Sequence, residues 1–146
     1  MITFELPKNP FIKSRKMRNI LIFIVDHNAP SANLLKYKLL GRSFTNIRIF
    51  PSPEECLFML QKNIIPDFII TDVHFPFMNG LDFLAAIKSF SELTQVLFLS
   101  SVHNESIARE LLETGATDYV YKTVNHETGI NEVVKNLEYL CKETIR

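Results

Sequence analysis

A chain of 146 residues with a 47% hydrophobic fraction has room for one domain with a proper core. Its sixteen basic and sixteen acidic residues cancel, so no whole-chain field draws it to nucleic acid or to an anionic membrane; either would need a local patch. No apolar run approaches a membrane span and the N-terminus lacks an apolar signal core, so the expected compartment is the cytoplasm, with no membrane partner and no direct nucleic-acid binding.

Residues 1–18 show no sustained period and read as an irregular N-terminal extension, with Lys13–Arg18 as a solvated basic cluster. Ile20–Val25 is a continuous apolar run, the pattern of a strand buried on both faces, and it ends in Asp26, followed by His27, Asn28 and Pro30. Ser31–Leu40 has helical spacing and stops at Gly41. Thr45–Phe50 alternates Ile47 and Ile49 with Asn46 and Arg48, which suits a sheet edge. Pro51-Ser-Pro then introduces a helix over Glu54–Asn63 whose first turn is acidic, as the helix dipole favours.

Asp67-Phe-Ile-Ile-Thr71 is a second doubly buried strand, and it runs into Asp72. After His74 and around Phe77, the residues Pro76, Asn79 and Gly80 supply turn chemistry before the helical pattern Leu81–Ile87. Gln95–Leu99 is a further apolar strand, ending in Ser100-Ser101, and Asn104–Leu112 is a helix that Gly115 ends. Thr117–Tyr121 is a brief aromatic strand, again suited to an edge, which delivers Lys122. The last helix, from Ile130 to about Thr144, carries Ile130, Val133, Val134, Leu137 and Cys141 on one stripe. Cys56 and Cys141 fall in helical patterns and read as reduced, partly buried thiols, while the phenylalanines read as core packing.

Five strands alternating with five helices predict an α/β fold with one doubly wound parallel sheet, right-handed crossovers and helices on both faces. If the strands that look like edges are the second and fifth, the strand order is 2-1-3-4-5. That order sets Asp26 and Asp72 side by side at the topological switch point, where open α/β sheets place their ligand chemistry. Asp26, Asp72, Ser100 and Lys122 then reach one rim from four strands. Singly, such residues are often helix caps, turn formers or solvated charges. Jointly they make a site for a hard cation and a phosphoryl group: carboxylates hold Mg²⁺, cation and lysine neutralise phosphoryl oxygens, the hydroxyl bonds one of them, and Asp72 attacks as nucleophile.

Over residues 19 to about 141 the chain resembles the receiver domain of two-component response regulators, of the kind found in chemotaxis regulators. The likeness rests on Ile22-Phe-Ile-Val-Asp26, Pro66-Asp-Phe-Ile-Ile-Thr-Asp72 with Phe75-Pro-Phe-Met-Asn-Gly80, Val96-Leu-Phe-Leu-Ser100-Ser101, and Gly115-Ala-Thr-Asp-Tyr-Val-Tyr-Lys122. The resemblance implies a flavodoxin-like receiver domain over 19–146 that is not a conventional enzyme but catalyses its own Mg²⁺-dependent phosphorylation and dephosphorylation. Asp72 is then the phosphoacceptor, Asp26, Asp72 and the backbone carbonyl of His74 hold Mg²⁺, Ser100 is the switch hydroxyl, Lys122 pairs with the phosphoryl group, and Tyr119 is an aromatic whose rotamer follows Ser100. The implied partners are a sensor histidine kinase or phosphotransfer protein and a downstream protein, with the fourth helix, fifth strand and fifth helix as output face and possible homodimer interface.

The sequence departs from the family at His27, where a second acid is usual; imidazole nitrogen in place of a carboxylate predicts weakened Mg²⁺ binding. It departs again at Thr123, where the family has a cis-proline after the lysine; a non-proline cis bond costs about 2.5–4 kcal/mol, so this bond is expected to be trans. Phe77 replaces a small residue and reads as a cover for its loop, and His103 and His126 read as surface residues. Two alternatives accompany the receiver reading. One is a pseudo-receiver that binds partners without phosphorylation. The other is a transition-metal site of His27, His74 and Asp72. A flavin-binding domain of similar topology fits poorly, because no phosphate-cradling Gly- or Ser/Thr-rich loop follows the first strand.

Overall fold

The computed structural model describes residues 19–122 and 127–145. The elements run β1 (Leu21–Val25), α1 (Ala29–Leu40), β2 (Asn46–Phe50), α2 (Pro53–Gln61), β3 (Phe68–Thr71), α3 (Gly80–Phe90), β4 (Gln95–Ser100), α4 (Glu105–Thr114), β5 (Asp118–Tyr121) and α5 (Glu127–Ile145). The extension read over 1–18 with its basic cluster, the bond to Thr123, and His126 lie outside the described residues.

Strand alternation explains the layers. In β1, Ile22 and Ile24 point to a core shared with α1 and α5, while Phe23 and Val25 point to a second core shared with α2, α3 and α4. β3 and β4 divide in the same way: Phe68, Ile70, Leu97 and Leu99 face the first core, and Ile69, Val96 and Phe98 the second. A strand covered on both sides must be apolar throughout, which is why these three read as uninterrupted runs. The sheet is parallel in every pairing, with order β2-β1-β3-β4-β5, the flavodoxin-like arrangement. β2 and β5 are its edges, and β2 shows it: Asn46 and Arg48 are exposed on either side of buried Ile47.

Four helices are capped by side chains at the rim where strands end. Asn28 accepts from the Ser31 amide, Ser52 from Glu55, Asn79 from Asp82 and Asn104 from Ile107, each cap worth about 1 kcal/mol. The Asn28 cap also explains why α1 starts at Ala29 and not at Ser31: Pro30 is tolerated in a first turn that needs no amide donor from it. At the far end of α4, Gly115 adopts a φ of 123°, which a side chain would resist.

α5 starts at Glu127, ahead of the Ile130 read from its apolar stripe: its first residues, Glu127 and Thr128, are exposed and polar, so they add nothing to that stripe, and Gly129 is where the turn meets the end of β5. A Cβ on Gly129 would stand 2.8 Å from the Tyr121 carbonyl oxygen and 3.0 Å from the Lys122 Cα. Gly129→Ala should therefore push α5 off the end of β5 and cost about 1–3 kcal/mol. A fall in the urea midpoint with unchanged slope would show it; an unchanged midpoint would mean that the turn relaxes freely.

Burial pushes the thiols of Cys56 and Cys141 up to about 12. Desolvation is the main cause in both, with Asp67 and Glu138 adding to it at Cys141. Both thiols stay protonated near neutral pH and are poor nucleophiles. Among the described residues no helix is long and apolar enough to cross a membrane.

Candidate functional site

The carboxyl ends of β1, β3, β4 and β5 deliver Asp26, Asp72, Ser100 and Lys122 to one rim, and the backbone ladder continues through them. The Asp72 amide donates to the Val25 carbonyl at 3.2 Å and the Lys122 amide to the Ser100 carbonyl at 2.6 Å. All four are buried: Asp26 and Asp72 are each 8% exposed, Lys122 5% and Ser100 0%. Buried polar residues at the mouth of a sheet cost desolvation that the fold does not need, and their concentration at one rim makes this the candidate site.

Asp26 is fully engaged. Its Oδ1 accepts from the Asn28 amide at 2.9 Å, and its Oδ2 takes the Lys122 ammonium at 3.1 Å. Lys122 also donates to the Ser31 hydroxyl, on the first turn of α1, at 2.9 Å. Asp72 is held differently: Oδ1 accepts from the Val73 amide at 2.6 Å, and among the described residues no donor bonds Oδ2. Lys122 is thus paired with Asp26 and Ser31, and among the described residues it makes no hydrogen bond or ion pair with Asp72.

On the β4 side, the Ser100 hydroxyl accepts from the Val102 amide at 3.0 Å. The Val102 carbonyl in turn accepts from the Tyr119 hydroxyl at 2.6 Å. One loop residue is therefore tied at its amide to Ser100 and at its carbonyl to Tyr119. His103 beside it is exposed and lies 5.0 Å from the Tyr121 ring, centroid to centroid.

The histidines do not join the site as a metal cluster. His27 and His74 are both exposed, with the His27 ring set edge-on to Phe75 at 6.3 Å. Among the described residues no three His, Cys, Asp or Glu side chains group so as to hold a metal ion. The site of His27, His74 and Asp72 is thereby corrected: both imidazoles sit at exposed loop positions while Asp72 is buried. Phe77 is also corrected, since at 90% exposure it covers nothing.

The donor set that remains fits Mg²⁺. Two carboxylates on neighbouring strands supply hard oxygens, and Mg²⁺ ordinarily takes one or two carboxylates, keeps several waters and binds phosphate oxygens. Sequence reasoning missed Ser31 and the backbone of Val102. Ser31 lay within a predicted helix, where a hydroxyl carries no signal of its own, and Val102 acts through main-chain atoms that no side-chain pattern reports.

The match to known proteins agrees with this geometry. Residues 22–134 match the response regulator receiver domain, and the chain belongs to that family. It is 32% identical over 117 residues to the protein-glutamate methylesterase/protein-glutamine glutaminase of Treponema denticola, a match covering 77% of this chain and 31% of that protein. The chain thus spans about a third of that relative's length. Among solved structures, the response regulator domain of Thermotoga maritima CheB superposes with a TM-score of 0.72 at 22% identity, covering 84% of this chain and 96% of that one. The Mn²⁺-bound response regulator Rcp1 superposes with a TM-score of 0.69 at 23% identity, covering 87% and 97%. The molecule is a response-regulator receiver domain, the module used in two-component signalling.

Proposed function

We propose that this receiver accepts a phosphoryl group on Asp72 from a sensor histidine kinase or phosphotransfer protein, and that the modified domain presents an altered face to a downstream protein. The observation that carries the reading is the convergence of Asp26, Asp72, Ser100 and Lys122 on one buried rim, with Oδ2 of Asp72 free of protein donors among the described residues. Oδ2 attacks phosphorus, a P–O bond forms as the donor's P–N bond breaks, and the departing imidazole keeps the electron pair and takes up a proton. Mg²⁺, held by Asp26, Asp72 and the His74 carbonyl, would neutralise phosphoryl oxygens. Lys122 does the same from the β5 side, and Ser100 donates its hydroxyl to a third oxygen.

The readout follows from the ties on Val102. A Ser100 hydroxyl drawn to a phosphoryl oxygen no longer serves the Val102 amide as before, so the loop into α4 shifts and with it the carbonyl that holds Tyr119. α4 buries only Leu111 and leaves Leu112 45% exposed, so α4, β5 and α5 form the face for a protein partner or a second copy. The balanced charge argues against direct nucleic-acid binding, and the reading assigns a cytoplasmic setting.

Intact-mass spectrometry after incubation with Mg²⁺ and acetyl phosphate tests the chemistry. The expected result is a gain of one phosphoryl group, about 80 Da, that needs Mg²⁺ and is absent in Asp72→Asn. One observation favours a second reading, a pseudo-receiver: Lys122 is paired away from Asp72. No adduct, together with an amide spectrum indifferent to beryllofluoride, would establish that reading instead.

A further inference from the structure

Ser31 sits where a helix-starting serine would normally face solvent, yet its hydroxyl is spent on a lysine 91 positions away in sequence. Its backbone has little freedom: the Ser31 amide donates to the Asn28 cap at 3.0 Å, and Pro30 precedes it in the same turn. With the backbone so placed, the hydroxyl accepts from the Lys122 ammonium at 2.9 Å on the α1 side of the site. Asp26 Oδ2, at 3.1 Å, completes the seat. Among the described residues, both partners of the ammonium come from the end of β1 onward, Asp26 just after the strand and Ser31 in the first turn of α1, and neither comes from β3.

This seat has a consequence for metal binding. Among the described residues Asp26 is the one buried carboxylate besides Asp72, and its Oδ2 already carries a cation. A divalent ion at the same oxygen would stand a few ångströms from the ammonium in a site shielded from water, where like charges repel strongly. Mg²⁺ at Asp26 is therefore disfavoured while Lys122 keeps its seat, and favoured once the ammonium moves toward Asp72.

We propose that Ser31 is a positioning residue that parks Lys122 on Asp26, and so sets the cost of loading the site with Mg²⁺ and a phosphoryl group. The proposal rests on the receiver chemistry assigned to Asp72 above and names the device that restrains it. Ser31 opposes both steps at once: it holds the lysine against the metal's carboxylate and away from the phosphoryl position.

The test is a Mg²⁺ titration followed by amide ¹H–¹⁵N shifts, with the ¹⁵N signal of the Lys122 ammonium observed in the metal-free protein. In wild type that ammonium should exchange slowly with water, and in Ser31→Ala faster. Ser31→Ala should bind Mg²⁺ roughly ten- to a hundredfold more tightly, the range expected for one hydrogen bond to a charged group. Ser31→Thr, which restores the hydroxyl, should return both signals toward wild type. Ser31→Cys, close in size but a poor acceptor, should tighten binding as alanine does, and serves if alanine disturbs the turn. A wild type that binds Mg²⁺ beside alanine and cysteine variants of unchanged or weaker affinity would overturn the parking role and leave the receiver chemistry standing. A wild type with no Mg²⁺-dependent shift at Asp26 and Asp72 would overturn both.

Discussion

Asp26→Ala should abolish useful Mg²⁺ binding while costing less stability than breaking a buried ion pair normally does. The carboxylate has two tasks, as metal oxygen and as the counter-charge of Lys122 at 3.1 Å. Loss of outer-shell groups alone weakens metal sites 10- to 100-fold, so loss of a ligand should cost at least about a hundredfold in affinity. Removing one partner of a buried pair usually costs about 3–5 kcal/mol, because the remaining charge is left uncompensated. Here Lys122 keeps Ser31 and has the Asp72 carboxylate on the next strand but one from its own side of the rim, while the mutation also removes one of two neighbouring negative charges. A loss nearer about 1–2 kcal/mol is expected on those grounds. Calorimetric Mg²⁺ titration beside urea unfolding separates the two tasks. Retained Mg²⁺ affinity with a loss of several kcal/mol would make Asp26 a structural partner of Lys122 and remove it from the metal site.

The two tasks of Asp26 also show where sequence reasoning stops. The sheet was legible because the central strands bury both faces, so Ile22–Val25, Phe68–Ile70 and Val96–Leu99 had to be apolar without a break. Strand order followed from the contrast with Asn46 and Arg48 on β2 and with the aromatic, part-exposed β5. Arrival of the four polar residues at one rim then came from topology alone. Which of them touch could not be read in the same way. A lysine stem of four carbons reaches several neighbours, and whether Lys122 lies on Asp26 or Asp72 depends on the Ser31 hydroxyl, whose position is set by the Asn28 cap and Pro30. Exposure of the loop side chains was equally hidden. His27, His74 and Phe77 follow strand ends in sequence, but their directions depend on loop conformation, which carries no periodicity, and all three point to solvent.

His27→Asp should change the sign of the site's contribution to stability according to whether metal is present. Position 27 is exposed and its ring contacts Phe75 only edge-on, so the substitution removes little packing. In the metal-free protein a third carboxylate beside Asp26 and Asp72 adds repulsion that one lysine cannot neutralise, and the variant should melt below wild type. Mg²⁺ reverses this, because a carboxylate oxygen is a better ligand for a hard cation than an imidazole nitrogen. If the added ligand tightens binding about tenfold, then at saturating Mg²⁺ the variant gains about 1.4 kcal/mol over wild type from binding linkage. Thermal melts with and without Mg²⁺ should therefore cross: His27→Asp lower than wild type with chelator, and no longer so, or higher, with millimolar Mg²⁺. Parallel shifts in both conditions would place residue 27 outside the metal's reach. A crossing would identify His27 as the substitution that detunes this receiver, acting from the solvent side of the same carboxylate that Ser31 and Lys122 restrain from within.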